Sequence, residues 1–519
     1  MITSTAAGSA RRVSVLAIPL LGYFAGVEGA APNIASTALV GASRSLHMTG
    51  STQALAASMQ TLAIAATVIT TGLLADRLGR RRVLMAALVV STIGTLVVAG
   101  AFATWMYMLG MIIAGVGLGA VYGSAFAYIK AVAPIERLAA AMGTFVAVTM
   151  AVTLVATFVG GSLTAVNWRV GFFVTPALCL IGLVLVPILL PKVARLTGDS
   201  FDLPGQLLLG LGLIGVLYAI SQLAKSLTSP GTLVPLAVGV VLLAGFAVWE
   251  TRYHDNFFPM ELFRSPVFLA AICFGFIYNF GNAVAFLQLT NLWQYINGLK
   301  TTQVSLWQLP LLFAGIVAGL ITGRVMARGM TNRVAGLVGG LMSVVGYVLL
   351  ALMHSSKTLV GFLPGALLVG AGVVVAAVPF GNLVLREAPA KSLGPVSSSR
   401  TTFGQFFYTF GFAISAVLID RMTYGGTTAR LDAAGVPADQ IGTALNSVTA
   451  YAANGTRATT SLGQQALSAA SESYGGAFRS TMLISAVALL GATALATFLL
   501  RKGEGEPQPA ADPEPATAA

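Results

Sequence analysis

The sequence predicts an all-α membrane protein of fourteen transmembrane helices: two six-helix bundles with two extra helices between them. Three observations carry that reading. Hydrophobic residues make up 56% of the 519-residue chain and charged residues only 9%, with a mean hydropathy of +0.85. A soluble chain carries about a quarter charged residues. Apolar runs long enough to span a bilayer recur along the whole length, and lipid admits only structures that satisfy their own backbone hydrogen bonds. Basic residues gather at the ends of these runs, in an alternating pattern.

The first span follows Arg11-Arg12 and runs to about position 40. It has the charged start of a signal peptide but continues through Glu28 and Asn33 without a clear cleavage site, so it reads as helix one. Spans at roughly 51–75, 83–103, 105–130, 138–165 and 168–190 complete an N-terminal bundle over residues 1–190. A polar loop with Asp199 and Asp202 leads to spans at about 205–223 and 232–250. Together with the amphipathic segment Phe258-Pro-Met-Glu-Leu-Phe263-Arg264 they form a central insertion, 191–265. The C-terminal bundle, 266–502, takes spans at about 266–296, 304–327, 333–353, 358–386, 393–419 and 480–500. Residues 420–478 are a long polar connection, expected as a flexible loop or small cap with helix possible near 438–452. Asn454-Gly-Thr456 fits a glycosylation sequon, and 503–519, rich in Pro, Ala and Glu, is expected to be a disordered tail.

Charge tests the topology. When loops are assigned alternately, 20 of the 29 Lys and Arg fall on one side, which is therefore cytoplasmic, together with both termini. An odd number of spans would scramble that asymmetry. The net charge of +12 thus reflects membrane topology and not nucleic-acid binding. Cys179 and Cys273 lie singly inside spans, and His47, His254 and His354 are scattered in or beside loops. The pattern calls for no disulfide framework, metal or cofactor.

One polar stretch stands out: Gly72-Leu-Leu-Ala-Asp76-Arg77-Leu-Gly79-Arg80-Arg81-Arg82-Val-Leu84. It is a tight hairpin between two spans, with two glycines for the turn and close approach. Asp76 stands among four arginines at the membrane edge, where it should bond an Arg or cap a helix N-terminus. The stretch resembles the loop joining the second and third helices of the major facilitator superfamily. A weaker echo, Gly323-Arg-Val-Met-Ala327-Arg328, lies at the corresponding junction of the second half, with Ala327 in place of the Asp. Trp168-Arg169-Val-Gly-Phe-Phe173-Val-Thr-Pro176 is similar to a signature of the superfamily's fourteen-helix drug:proton antiporters, with Thr175 for Asn. Glu28-Gly-Ala-Ala-Pro-Asn33-Ile-Ala35 resembles their helix-one pattern, with Glu for Asp. Two places depart from the antiporters. Met111 stands where their fourth helix carries an Arg associated with proton coupling, and Ala156-Thr157 replaces a Gly-Pro in the fifth.

Glu28 is the one carboxylate well inside an expected span. An ionisable residue there is a functional candidate by default, because inserting it costs at least ~2–3 kcal/mol. Surroundings of low dielectric favour the neutral form of a carboxyl, as a residue that takes up and releases protons requires. Glu28, with Asn33 on the same helix, is the proton-coupling candidate; a structural carboxyl bonded to a neighbouring helix is the alternative. The span at 266–296 carries Asn279, Asn282, Gln288, Asn291 and Gln294 among aromatic residues. At ~100° per residue, Asn279 and Asn282 share one arc and the other three a second, roughly 150° away, so a straight helix cannot aim both at one cavity. These amides either line a substrate cavity or make interhelical hydrogen bonds. Arg400, matching the Arg of an antiporter pattern in the thirteenth span, is expected at the cytoplasmic mouth or as the counter-charge of a carboxylate. Gly72, Asp76, Arg77, Gly79, Arg80 and Arg81 form the expected conformational-switch loop. The resemblance implies a monomeric, alternating-access exporter of amphiphilic small molecules in the cytoplasmic membrane, driven by protons, with no cofactor. Transport without protons, which Met111 would allow, and a non-transporting sensor or scaffold are the rival readings.

Overall fold

The computed structural model describes residues 2–48, 50–193, 202–223, 228–252, 258–299, 301–454 and 458–503, and every regular element among them is helical. The first bundle comprises α1 (Ile2–Ser45), α2 (Gly50–Leu78), α3 (Arg80–Ala99), α4 (Thr104–Val132), α5 (Leu138–Val166), the single turn α6 (Trp168–Gly171) and α7 (Val174–Leu189). Next come α8 (Leu203–Leu223) and α9 (Pro230–Arg252). The second bundle comprises α10 (Pro266–Asn291), α11 (Thr301–Ala327), α12 (Asn332–Leu352), α13 (Leu359–Glu387), α14 (Leu393–Ala433) and α16 (Ser461–Gly503), with α15 (Ala438–Asn454) between the last two. Thirteen helices among the described residues are long and apolar enough to cross a membrane. The remaining long helix, α1, is more polar through Glu28 and Asn33 and is interrupted by Pro19 and Pro32, yet it packs along α4 and α5.

The two halves repeat one plan. In the first, α3 packs on α4 and α1 on α5; in the second, α12 packs on α13 and α10 on α14 and α16. The tight turns α2–α3 and α11–α12 each use a glycine with positive φ, Gly79 (99°) and Gly329 (115°), a region that excludes most side chains. The helices begin where local chemistry allows. Ser265 caps α10 by accepting from the Phe268 amide, with Pro266 at the first helical position, and Thr331 caps α12 through the Val334 amide. The inserted α8 and α9 pack on each other, and α8 touches both bundles through α2 and α14. Only about a sixth of α9's most apolar stretch is buried within the protein (17%), which fits a lipid-facing position. Asp202 heads α8, where its carboxylate accepts from the Gly205 amide and the Trp249 indole, both at 3.0 Å.

Of the two forms expected for residues 420–478, a flexible loop or a small cap, the described residues take the second, built from helices. Helix α14 runs on to Ala433, α16 starts at Ser461, and α15 lies against them. At 1.5 Å per residue, the 41 residues of α14 extend about 62 Å, roughly twice the hydrocarbon thickness, so α14 must project well past a bilayer. Alanine-rich sequence is a good helix former, which explains why the segment is helical although its polarity reads as a connection. Leu431, Val436, Ala444 and Ala466 give the projection its own small apolar core. The exposed Arg430–Glu472 ion pair adds little to it. Arg195, Asp199, Lys225, His254, Lys300, Gly455, Thr456, Arg457 and the tail from Glu504 lie outside the described residues.

Candidate functional site

The bundles meet along two seams, α2 with α14 and α5 with α11. Both close tightly at the end that carries the Gly72–Leu84 loop. A Cβ on Gly143 of α5 would lie 2.5 Å from the Gly319 carbonyl and 2.6 Å from Gly323 Cα of α11. A Cβ on Gly72 would lie 2.3 Å from Ser398 Oγ and 2.7 Å from the Gly394 carbonyl of α14. At that seam the buried Asp76 serves two partners. Its Oδ1 accepts from Arg80 Nε (2.9 Å) and Nη2 (2.8 Å), and its Oδ2 accepts from the Gly394 amide in the first turn of α14 (2.5 Å). Arg bond and helix N-terminus, expected as alternatives, are thus both made, and the second crosses between bundles. A helix N-terminus presents unpaired amides and partial positive charge to such an anion. Arg80 also donates to the Ala127 carbonyl, while Arg81 donates to the carbonyls of Pro187 and Leu190. Arg77 is half-buried in the same loop. A second tie joins the halves here, from Lys130 Nζ to the Ala388 carbonyl at 2.8 Å.

Away from this closed end, α1, α2, α4, α5, α10, α11, α13 and α14 surround a cavity of about 240 Å³. Glu28, Asn33, Asn279, Asn282 and Arg400 all line it. Glu28 is buried, and Gln405 of α14 donates to its Oε1 at 3.4 Å. Asn33 donates to the Gly29 carbonyl at 3.1 Å and to Thr157 Oγ1 at 3.5 Å. Thr157, one of the two residues replacing the antiporters' Gly-Pro, therefore helps to hold Asn33. Asn279 donates to the Gly275 carbonyl on its own helix.

Arg400 is more deeply placed than a mouth residue. It belongs to α14 in the second bundle but donates to the Tyr122 hydroxyl of α4 in the first. Its guanidinium lies 4.9 Å from the Phe126 ring centre and 5.1 Å from that of Phe380, so aromatic faces offset part of its charge. No carboxylate pairs with Arg400 among the described residues, and Glu28 forms no ion pair there either. Met111 is buried beside Tyr107, Trp168 and Phe172, so an apolar cluster fills the place expected of a coupling Arg.

The amides of α10 divide between two places. Asn279 and Asn282 face the central cavity, whereas Gln288 and Asn291 line a second one nearer the projecting helices. Gln288 donates to Ser415 of α14 at 2.9 Å. Gln294 is half-buried in the wide turn after α10 and lines neither cavity. Sequence reasoning overlooked Tyr122 and Gln405. Gln405, a polar residue in an aromatic span, offered a signal; Tyr122 in a glycine- and alanine-rich helix offered none.

The profile described as Major Facilitator Superfamily matches residues 20–416. An "Uncharacterized MFS-type transporter Rv1877" of Mycobacterium tuberculosis is 28% identical over 254 residues, 48% of this chain and 37% of that protein. The "Lincomycin resistance protein LmrB" of Bacillus subtilis is 26% identical over 285 residues, 53% of this chain and 59% of its own. The match thus spans less than two thirds of each relative. The crystal structure of the human organic anion transporter MFSD10 aligns with 94% of this chain and 99% of its own at a TM-score of 0.61 and 13% identity, a likeness of fold.

Proposed function

From the premise that the chain belongs to the major facilitator superfamily, we propose that it exports an amphiphilic small molecule across the cell membrane by proton-driven alternating access. The observation that carries the proposal is the meeting of Glu28 and Arg400, from opposite bundles, at one cavity without an ion pair. A proton on Glu28 removes its attraction to Arg400, so protonation biases how the two bundles sit. Aromatic and amide side chains beside these charges suit a mostly apolar ligand with a few polar groups. In this reading the closed loop end is cytoplasmic, along with both termini, which the positive-inside asymmetry supports, so the arrangement described is closed on its cytoplasmic side. In this reading the protein works as a monomer. The resistance named in LmrB is consistent with export of a toxic amphiphile.

The test is uptake of amphiphilic dyes into inverted vesicles under an imposed pH gradient. Glu28→Gln keeps the side chain's shape but cannot titrate, so it should bind and exchange dye yet fail to accumulate it. Glu28→Asp should keep partial accumulation. Full accumulation by Glu28→Gln removes Glu28 from the coupling. The buried apolar surroundings of Met111 favour a second reading, transport without protons. A wild type that moves dye at the same rate with and without the gradient selects it.

A further inference from the structure

The larger cavity belongs to no part of the proposed cycle. It holds about 960 Å³, four times the central volume, and lies where α10, α14, α15 and α16 converge beneath the projection. Its walls are partly apolar, with Leu287, Ile419 and Leu467, and partly aromatic, with Tyr424 and Tyr474. Among the described residues Asp420 is the one charged side chain on the lining, and no Lys or Arg pairs with it there, in a chain of net charge +12. Gln288 is fully buried against this cavity, yet its carbonyl Oε1 has no hydrogen-bond partner, because only its amide nitrogen is used, on Ser415. A buried acceptor left in that state costs free energy. Thr423 Oγ1, also on the lining, is likewise buried without a partner.

We propose that this cavity is a binding site for a monocationic amphiphile, distinct from the central one. The apolar and aromatic walls take the body of the ligand, and the tyrosine faces and the Asp420 carboxylate take the positive charge. Among the described lining residues an anion would meet one uncompensated carboxylate and no cation. The central cavity lies along the same two helices: α14 turns Tyr408 to the inner one and Ala416 to the outer one. Eight residues of helix separate these positions by about 12 Å.

The proposal does not depend on proton coupling or on transport, because binding is read on resting protein without a gradient. The probe is tetraphenylphosphonium, with tetraphenylborate as its anionic match in size and shape. Purified full-length protein carries Ser468→Cys, an exposed lining position, with Cys179→Ala and Cys273→Ala to silence the native thiols. The phosphonium should protect the thiol at position 468 from a polar maleimide, and the borate should not. Adding Asp420→Asn should raise the protecting concentration roughly tenfold or more, the scale of a lost charged partner, while Asp420→Glu should stay within a few-fold. Equal protection by both ions, no protection by the phosphonium, or unchanged protection in Asp420→Asn would each overturn the assignment. Protection in the parent protein keeps the test decisive even if Asp420→Asn fails to fold.

Discussion

Arg400 enters the central cavity from one bundle and is held by the other, and that division gives the residue its interest. Its charge rests on the Tyr122 hydroxyl and on the faces of Phe126 and Phe380, with no carboxylate in contact. Arg and Lys are not equivalent in such a place, because the planar guanidinium stacks on aromatic rings while a strongly hydrated ammonium does not. Arg400→Lys keeps the charge but loses the planar stacking and the fork of the guanidinium, weakening cation–π contacts worth about 0.5–2 kcal/mol. Initial rates of gradient-driven dye uptake should fall roughly tenfold at equal expression. Tyr122→Phe, which removes one acceptor, should cost only a few-fold. Full activity in Arg400→Lys would reduce the residue to a packing role. Glu28 and Arg400 were both legible in the sequence, because a charge inside an apolar run is conspicuous whatever surrounds it. Their environment was not legible, since it is built by α4, α13 and the first turns of α14, none of which advertises its inward face by composition.

At the scale of helices, the repeated plan was readable from apolar runs and from two glycine turns, while helix ends beyond the membrane were not. Hydropathy reports where lipid stops, not where a helix stops, so α14 and α16 continue past the polar boundary. The angular argument on α10 succeeded for the same reason that it was needed. Residues three apart share a face, and residues nine apart, such as Asn279 and Gln288, fall on different ones. Those two faces now prove to line different cavities. The seam between α5 and α11 gives a sharper test. With Gly143 against Gly319 and Gly323, the backbones approach more closely than any side chain permits. Gly143→Val leaves α5 able to fold but props the seam open. In that variant, Ala139→Cys, buried on α5 beside Gly323, should react with a maleimide several-fold faster than in its Gly143 parent. An unchanged rate would mean that this close approach does not hold the loop end shut.

For the whole molecule, the question is which contacts choose between arrangements of the two halves. The glycine seams set how near the bundles can come, but they carry no switch of their own. Asp76 is different, since one carboxylate bonds Arg80 within its own bundle and the Gly394 amide of the other. Asp76→Asn leaves the loop's glycines and shape in place but removes the negative charge from the first turn of α14. It also leaves Arg80, which is buried, without its ionic partner. Losing one partner of a buried pair costs on the order of 3 kcal/mol. Each 1.4 kcal/mol is a tenfold change in an equilibrium, so the share of that cost falling on the cross-bundle contact decides how far the closed loop end loses population. Spin labels test this with two pairs of exposed positions. Arg82→Cys with Arg328→Cys spans the loop end, and Ser45→Cys with Lys357→Cys spans the opposite end. With Asp76 intact, the loop-end pair should give one short distance population. With Asp76→Asn a longer population should appear there, and a shorter one should appear at the opposite end, because alternating access moves the two in opposition. A loop-end distribution that is the same with and without Asp76→Asn would leave the glycine seams as sufficient to hold the closed state.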